Sequence, residues 1–281
     1  MTALDTLKQL VSSITIVHLT SLVGIGLFAT WLIRTSLGRK SLVHSRPRRN
    51  SMSPLTAFVP FSVWFLGISL LQSIVVTLTG PVEGEREAVQ TNVTFCVGAA
   101  LTVAVILAFA RFHFARGLKG FGFRLRTIPR DFGAALVSLL AVWPLVLAMI
   151  VLATAIGKTL RGQDFEMPQH KELELMAEFP GLFSRILIVF LAVVIAPLLE
   201  EMLFRGVLQT VIRSYVGRPW FAIVITSILF AMVHENYEHW PALFVLATGL
   251  GYLYERSGSL FQPIFMHALF NGVTVAAALG A

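Results

Sequence analysis

Cysteine is almost absent from this chain of 281 residues, and charged residues are few. The single cysteine, Cys96, excludes a disulfide within the chain and a metal cluster built on cysteines. Charged residues make up 13% of the chain and apolar residues 56%, whereas ordinary soluble domains have about 25% and about 45–50%. Together with a mean hydropathy of +0.78, this composition excludes an ordinary soluble domain and indicates a membrane protein.

Eight apolar segments are long enough, or nearly so, to cross a bilayer, which takes about 20 residues. They predict an all-α fold, a polytopic transmembrane helical bundle of about eight spans. The run after Lys8 is longer than the ~7–15 apolar residues of a signal peptide, so we expect it to be retained as the first span. The predicted spans are Leu10–Ile33, Leu55–Leu78, Asn92–Ala110, Phe132–Ile156, Phe183–Phe204, Trp220–Val233, Trp240–Tyr254 and Leu260–Leu279.

The distribution of charge between the spans predicts the topology. The net charge is +7, and most basic residues lie in two loops, 34–49 and 111–130, while the alternate loops are acidic. The positive-inside rule places the basic loops in the cytoplasm and both termini outside. This topology accounts for the basic charge, so we expect no nucleic-acid partner. We predict an integral multi-pass protein of the plasma (inner) membrane.

Two further features accompany the spans. Residues Glu172–Phe179 have the pattern of a short amphipathic helix at the membrane surface. This helix is either a lid or substrate guide or a solvated connector. Three prolines lie within spans, where they should kink a helix or free a carbonyl group: Pro60, Pro144 and Pro197.

Two adjacent carboxylates stand near the end of the fifth span. An ionised carboxylate deep in a bilayer costs roughly 2.5–3.5 kcal/mol on insertion scales, so Glu200 and Glu201 predict a functional site. Arg205 lies four residues after Glu201, on the same helix face, and can pair with it. Glu200 points about 100° away around the helix. It can therefore face a different neighbour.

Polar residues in the sixth and eighth spans are predicted to meet Glu200. Glu200 lies 17 residues before Gly217 and His234 lies 17 residues after it. In an antiparallel helix pair both would lie about 25 Å from the turn. His267 and Asn271 are four residues apart on the eighth span, as Phe230 and His234 are on the sixth.

A carboxylate, two histidines and an asparagine in an apolar pocket are typical of a hydrolytic site. The carboxylate can take a proton from water, and histidine and asparagine donors can hold an oxyanion. Each residue also has a plainer interpretation. Asn271 can join helices, Phe230 can simply pack, and the pair Glu201–Arg205 can be structural. His234 and His239 are five residues apart, about 140° around a helix, which does not match a zinc-protease HExxH helix.

Three motifs in this order resemble those of the CAAX protease and bacteriocin-processing family, also called the Abi family, of intramembrane glutamic endopeptidases. They are EExxxR at Glu200–Arg205, FxxxH at Phe230–His234 and HxxxN at His267–Asn271. The resemblance covers about the last hundred residues. It implies a catalytic core at residues 131–281, with accessory spans and basic loops at residues 1–130.

The resemblance also implies a role for each residue. Glu200 would activate water with the help of His234, His267 and Asn271 would form the oxyanion hole, and Glu201, Arg205 and Phe230 would support the site. It implies a membrane-associated protein or peptide as substrate and no cofactor. Two alternatives remain: a zinc-dependent protease using the same glutamate and histidines, and a membrane immunity or binding protein without catalysis. The sequence predicts neither the substrate nor the oligomeric state.

Overall fold

The computed structural model describes residues 15–168, 171–179 and 181–280. These residues form helices and connecting segments and no strand. Residues 10–14 of the predicted first span lie outside the described ranges. The helices, numbered here in chain order, are α1 (Ile16–Arg34), α2 (Pro54–Thr79), α3 (Glu85–His113), α4 (Gly117–Phe121), α5 (Ile128–Arg161), α6 (Lys171–Glu178), α7 (Leu182–Val216), α8 (Pro219–Met232), α9 (Trp240–Ser257) and α10 (Phe261–Gly280).

The prediction of an all-α, multi-span bundle is confirmed, and each predicted span coincides with a helix. Among the described residues, six helices are long and apolar enough to cross a membrane: α1, α2, α3, α7, α10 and the helix that includes α5. The remaining two, α8 and α9, correspond to the short sixth and seventh segments. Eight of the 18 residues of α9 are buried, so its neighbours shield it from lipid.

Two of the spans contain segments of π-helix, in which one residue more than in an α-helix occupies the turn. Val63–Gly67 interrupts α2 shortly after Pro60. In α7, Leu191–Ile195 precedes Pro197, and Met202–Gln209 forms a second π segment. The six residues Ala196–Glu201 between these segments are α-helical. The motif glutamates therefore lie where the register of α7 changes twice.

The loop ends of the bundle are joined by specific contacts. At the end that carries the basic loops, Arg48 donates to the carbonyl groups of Gly120 (2.9 Å) and Gly258 (3.2 Å), and its guanidinium lies 3.9 Å from the ring centre of Tyr254. The buried carboxylate of Asp131 accepts hydrogen bonds from side chains at the start of α10, including Gln262. These contacts fix the turn between α9 and α10 against the first half of the chain.

The opposite end contains the acidic loops and the short helix α6. The amphipathic helix predicted over Glu172–Phe179 is confirmed as α6. Its Met176 is buried against Ile188 of α7 and Val275 of α10. Ser184 donates to Glu85 (2.6 Å), which joins the starts of α7 and α3. Since α1 starts at this end and α10 finishes here, both ends of the described chain lie opposite the basic loops.

The largest group of buried apolar residues includes members from both halves of the chain. Ala99 and Ile106 of α3 belong to it, as do Leu199 and Leu203 of α7. The regions 1–130 and 131–281 therefore share a core, and the proposed division of roles between them stays a prediction.

Gly206 directly follows the first motif, and we predict that its lack of a side chain is required for packing. The buried ring of Phe121 lies so close to Gly206 that a Cβ atom would overlap it. Forcing extra atoms into a filled core costs about 1–3 kcal/mol. We expect Gly206→Ala to lower the thermal midpoint of the purified protein in detergent.

Gly133→Ala is the matched control, because no atom lies within 4 Å of the Cβ that it would add. Alanine favours the helix more than glycine does, so the midpoint of this variant should be unchanged or higher. Equal midpoints for the two variants would contradict the packing explanation.

Candidate active site

Glu201 is completely buried and joins two helices. Its Oε1 atom accepts hydrogen bonds from Nη1 of Arg205 (3.0 Å) and from Nδ1 of His267 (2.9 Å). The first contact is the pair predicted from the four-residue spacing. The second connects α7 to α10, and the sequence analysis did not predict it. Glu201 therefore orients the His267 ring as well as neutralising Arg205.

The guanidinium group of Arg205 extends this network to two further helices. Nη2 donates to the carbonyl group of Ala247 in α9 (3.2 Å). The guanidinium carbon lies 4.5 Å from the ring centre of Phe230 in α8, a distance at which a cation is attracted to the face of the ring. Phe230 also contacts the rings of His234 and His267. Phe230 thus contacts three site residues, as its predicted supporting role requires.

Both histidines are held by their Nδ1 atoms. His234 Nδ1 lies 2.8 Å from the carbonyl oxygen of Phe230. Because a carbonyl only accepts, Nδ1 of His234 must be the donor. The carboxylate of Glu201 fixes Nδ1 of His267 in the same way. The Nε2 atom of each histidine is consequently the one left for chemistry.

Glu200 has a different environment from its neighbour. Its side chain is 18% exposed, and Oε2 lies 3.9 Å from Nε2 of His267, which is beyond hydrogen-bond distance. Oε2 accepts no hydrogen bond from any described residue although the atom is buried. The adjacent glutamates thus differ: Oε1 of Glu201 accepts from Arg205 and His267, whereas Glu200 presents an acceptor to the cavity beside an imidazole. Oε2 of Glu201 is also buried without a donor from the described residues, but Glu201 does not line the cavity.

A cavity of about 480 Å³ brings the four predicted catalytic residues together. Glu200, His234, His267 and Asn271 all line it. Glu200 and His234 thus line one cavity, as the equal depth inferred for them requires. The amide Nδ2 of Asn271 donates to the carbonyl group of Ala192 (2.8 Å), which holds the side chain at the cavity wall.

Further parts of the wall come from residues outside the three motifs. Trp64 of α2 and Asn92 of α3 line the cavity, as does Leu175 of α6. The position of Leu175 favours the lid or guide interpretation of α6 over the solvated connector. Trp64 and Asn92 are distant in sequence from the motifs, so no local signal connected them with the site, whereas Leu175 lies in the amphipathic segment that the sequence predicted.

The positions of the side chains bear on the zinc-dependent alternative. Among the described residues, no group of three or more His, Cys, Asp or Glu side chains is placed to hold a metal ion. His239 lies in the 3₁₀ turn Tyr237–His239 between α8 and α9, as predicted, and its Nε2 atom donates to the carbonyl group of Pro168 (2.9 Å). The apparent HExxH pattern therefore does not form a helical zinc site.

Comparison with known proteins agrees with the motifs. Residues 182–273 match the family model described as type II CAAX prenyl endopeptidase, Rce1-like. A 24.3 kDa uncharacterized protein of Escherichia coli is 32% identical over 119 residues, which cover 40% of this chain and 54% of the relative. YpbD of Bacillus subtilis is 41% identical over 90 residues, covering 31% and 42%. The search of solved structures gives no significant match.

A third relative carries a functional name. The membrane-embedded CAAX protease MroQ of Staphylococcus aureus is 30% identical over 92 residues, which cover 31% of this chain and 37% of the relative. The chain thus spans about half or less of the length of these relatives. The family match includes all three motifs and every site residue named in them. Residues 182–273 of this chain are thus similar to the CAAX protease and bacteriocin-processing family.

Proposed function

We propose that the protein is an intramembrane endopeptidase of the glutamic type, which hydrolyses a peptide bond of a membrane-associated protein or peptide. The observation that carries this proposal is the unpartnered Oε2 atom of Glu200 in a cavity shared with His234, His267 and Asn271. The family match and the name of the MroQ relative support a membrane protease.

In this mechanism a water molecule is the nucleophile. Glu200 accepts a proton from the water as it attacks the peptide carbonyl carbon. The free Nε2 atom of His234 accepts a hydrogen bond from the same water and orients it. Glu200 then returns the proton to the leaving amine. No covalent intermediate with the protein is required.

The oxyanion that forms on the peptide carbonyl needs donors on the cavity wall. The second N–H of the Asn271 amide supplies one. His267 supplies another when its Nε2 is protonated while Nδ1 donates to Glu201.

The predicted topology sets the direction of access. The cavity is lined by α6 and by the acidic loop between α8 and α9, at the end opposite the basic loops. If the basic loops face the cytoplasm, the substrate enters from the outer side of the plasma membrane. Protein or peptide substrates and the bilayer are the partners that we propose.

Glu200→Gln tests the mechanism. The amide retains the shape of the side chain and cannot act as the base, so we expect the cleavage rate to fall by about 10²–10⁴-fold. The thermal midpoint should change little, because Oε2 makes no protein hydrogen bond. New N-termini of membrane proteins should be compared in cells expressing the wild type or the variant. Kinetics are then measured with a peptide that spans the identified site.

Glu87→Gln is the matched control, since Glu87 is exposed in the first turn of α3. It should cleave at the wild-type rate. Undiminished cleavage by Glu200→Gln would refute the glutamic mechanism. If the Glu200→Ala variant restored the wild-type phenotype to a deletion strain, that result would instead favour the non-catalytic immunity or binding protein.

A second measurement separates the proposed mechanism from a zinc protease. We expect the purified protein to contain less than stoichiometric metal by elemental analysis. We also expect it to retain activity after treatment with a strong chelator such as 1,10-phenanthroline. Stoichiometric zinc together with activity that is lost on chelation and restored by zinc would identify the zinc-dependent alternative.

Arg205→Met tests the supporting role of the buried pair. Removal of one partner leaves Glu201 as an uncompensated buried charge, which costs about 3–5 kcal/mol. Glu201→Gln combined with Arg205→Met should lose less stability than the sum of the two single variants. Arg161→Met is the control. The side chain of Arg161 is 47% exposed in its pair with Glu238, and its loss should cost less than about 1 kcal/mol.

A further inference from the structure

The carbonyl group of Ala192 is left without a backbone donor in α7 because a proline follows the π segment Leu191–Ile195. In the π segment Leu191–Ile195, a carbonyl pairs with the N–H five residues later, and the N–H of Ala196 indeed donates to the carbonyl of Leu191. In the same register, the partner of the Ala192 carbonyl would be the nitrogen of Pro197. Proline has no N–H.

Asn271 of α10 supplies the missing donor. Its Nδ2 atom lies 2.8 Å from the Ala192 carbonyl oxygen. Since that oxygen can only accept, the contact determines which end of the amide faces α7. It thereby also directs Oδ1 and the second N–H of Asn271, whose side chain lines the cavity.

We propose that Pro197 is a positioning residue of the active site and acts through Asn271. By withholding a backbone N–H, Pro197 leaves the Ala192 carbonyl free to hold the Asn271 amide. The inference rests on the proposed function, in which Asn271 stabilises the oxyanion. Pro197 is buried in α7 and is not among the residues that line the cavity, so it does not itself touch the substrate.

Two substitutions separate the missing N–H from the volume of the proline ring. Pro197→Ala and Pro197→Val both introduce an N–H that can compete for the Ala192 carbonyl, whereas only valine keeps about the volume of proline. We expect kcat to fall by about tenfold in both variants, with KM little changed, because an oxyanion donor acts on the transition state. Asn271→Ala, which removes the donor itself, should lower kcat by about 10²–10³-fold.

Two further measurements distinguish positioning from general damage. Thermal midpoints of both Pro197 variants should equal or exceed that of the wild type, since each restores a helical donor. In the Asn271→Ala background, Pro197→Val should cause no further loss of kcat. Pro144→Ala removes a different proline from the middle of a span, in α5, and should leave kcat unchanged.

The inference is overturned if both Pro197 variants retain the wild-type kcat. It is also overturned if valine restores activity that alanine loses, if the loss multiplies in the double variant, or if it accompanies a lower thermal midpoint. Glu200→Gln is measured in the same assay. Cleavage that survives Glu200→Gln refutes the proposed function, whereas loss with Glu200→Gln and normal rates for the Pro197 variants refutes only the role of Pro197.

Discussion

The carboxylate of Glu201 is the constraint on which the site depends. A charge without contact with solvent must be matched by donors, and Glu201 takes one from its own helix and one from α10. Arg205 extends the match to α8 and α9. One buried charge thus fixes four helices relative to one another. The same contacts decide how the His267 ring is oriented, and such preorganisation is what the proposed catalysis requires.

Neighbouring positions in α7 place one glutamate in a buried ion pair and the other at the cavity. Two residues of the same type lie about 100° apart around the helix, so Glu201 is buried against α9 and α10 and pairs with Arg205 and His267, while Glu200 faces the cavity. The flanking π segments add to this effect, because each changes which backbone groups are paired. The polar chemistry of the site therefore uses the backbone of α7 as well as its side chains.

Local spacing predicted much of this arrangement, and packing between helices supplied the rest. Four-residue spacing was sufficient to pair Glu201 with Arg205, and counting from Gly217 was sufficient to expect Glu200 and His234 beside one another, where they line one cavity. The contact of His267 with Glu201 depends on how α10 is rotated against α7, and the contact of Asn271 with Ala192 depends on a π register. Neither leaves a periodic signal in the sequence. The sequence did not predict the position of Trp64 for a similar reason. An apolar side chain can line a cavity by its shape alone, and this leaves no motif in the sequence.

The clamp around Arg48 has a consequence for how the family segment can be used. A residue in the first basic loop holds the turn from which α10 departs, although about two hundred positions separate them. The family match begins only at residue 182. A fragment cut to that boundary would lack the anchor of its own terminal hairpin and would also expose apolar surface now covered by α3. The segment that matches the family model is therefore smaller than the unit that folds. A protein made for experiments should include the first basic loop and α3 as well as residues 182–273.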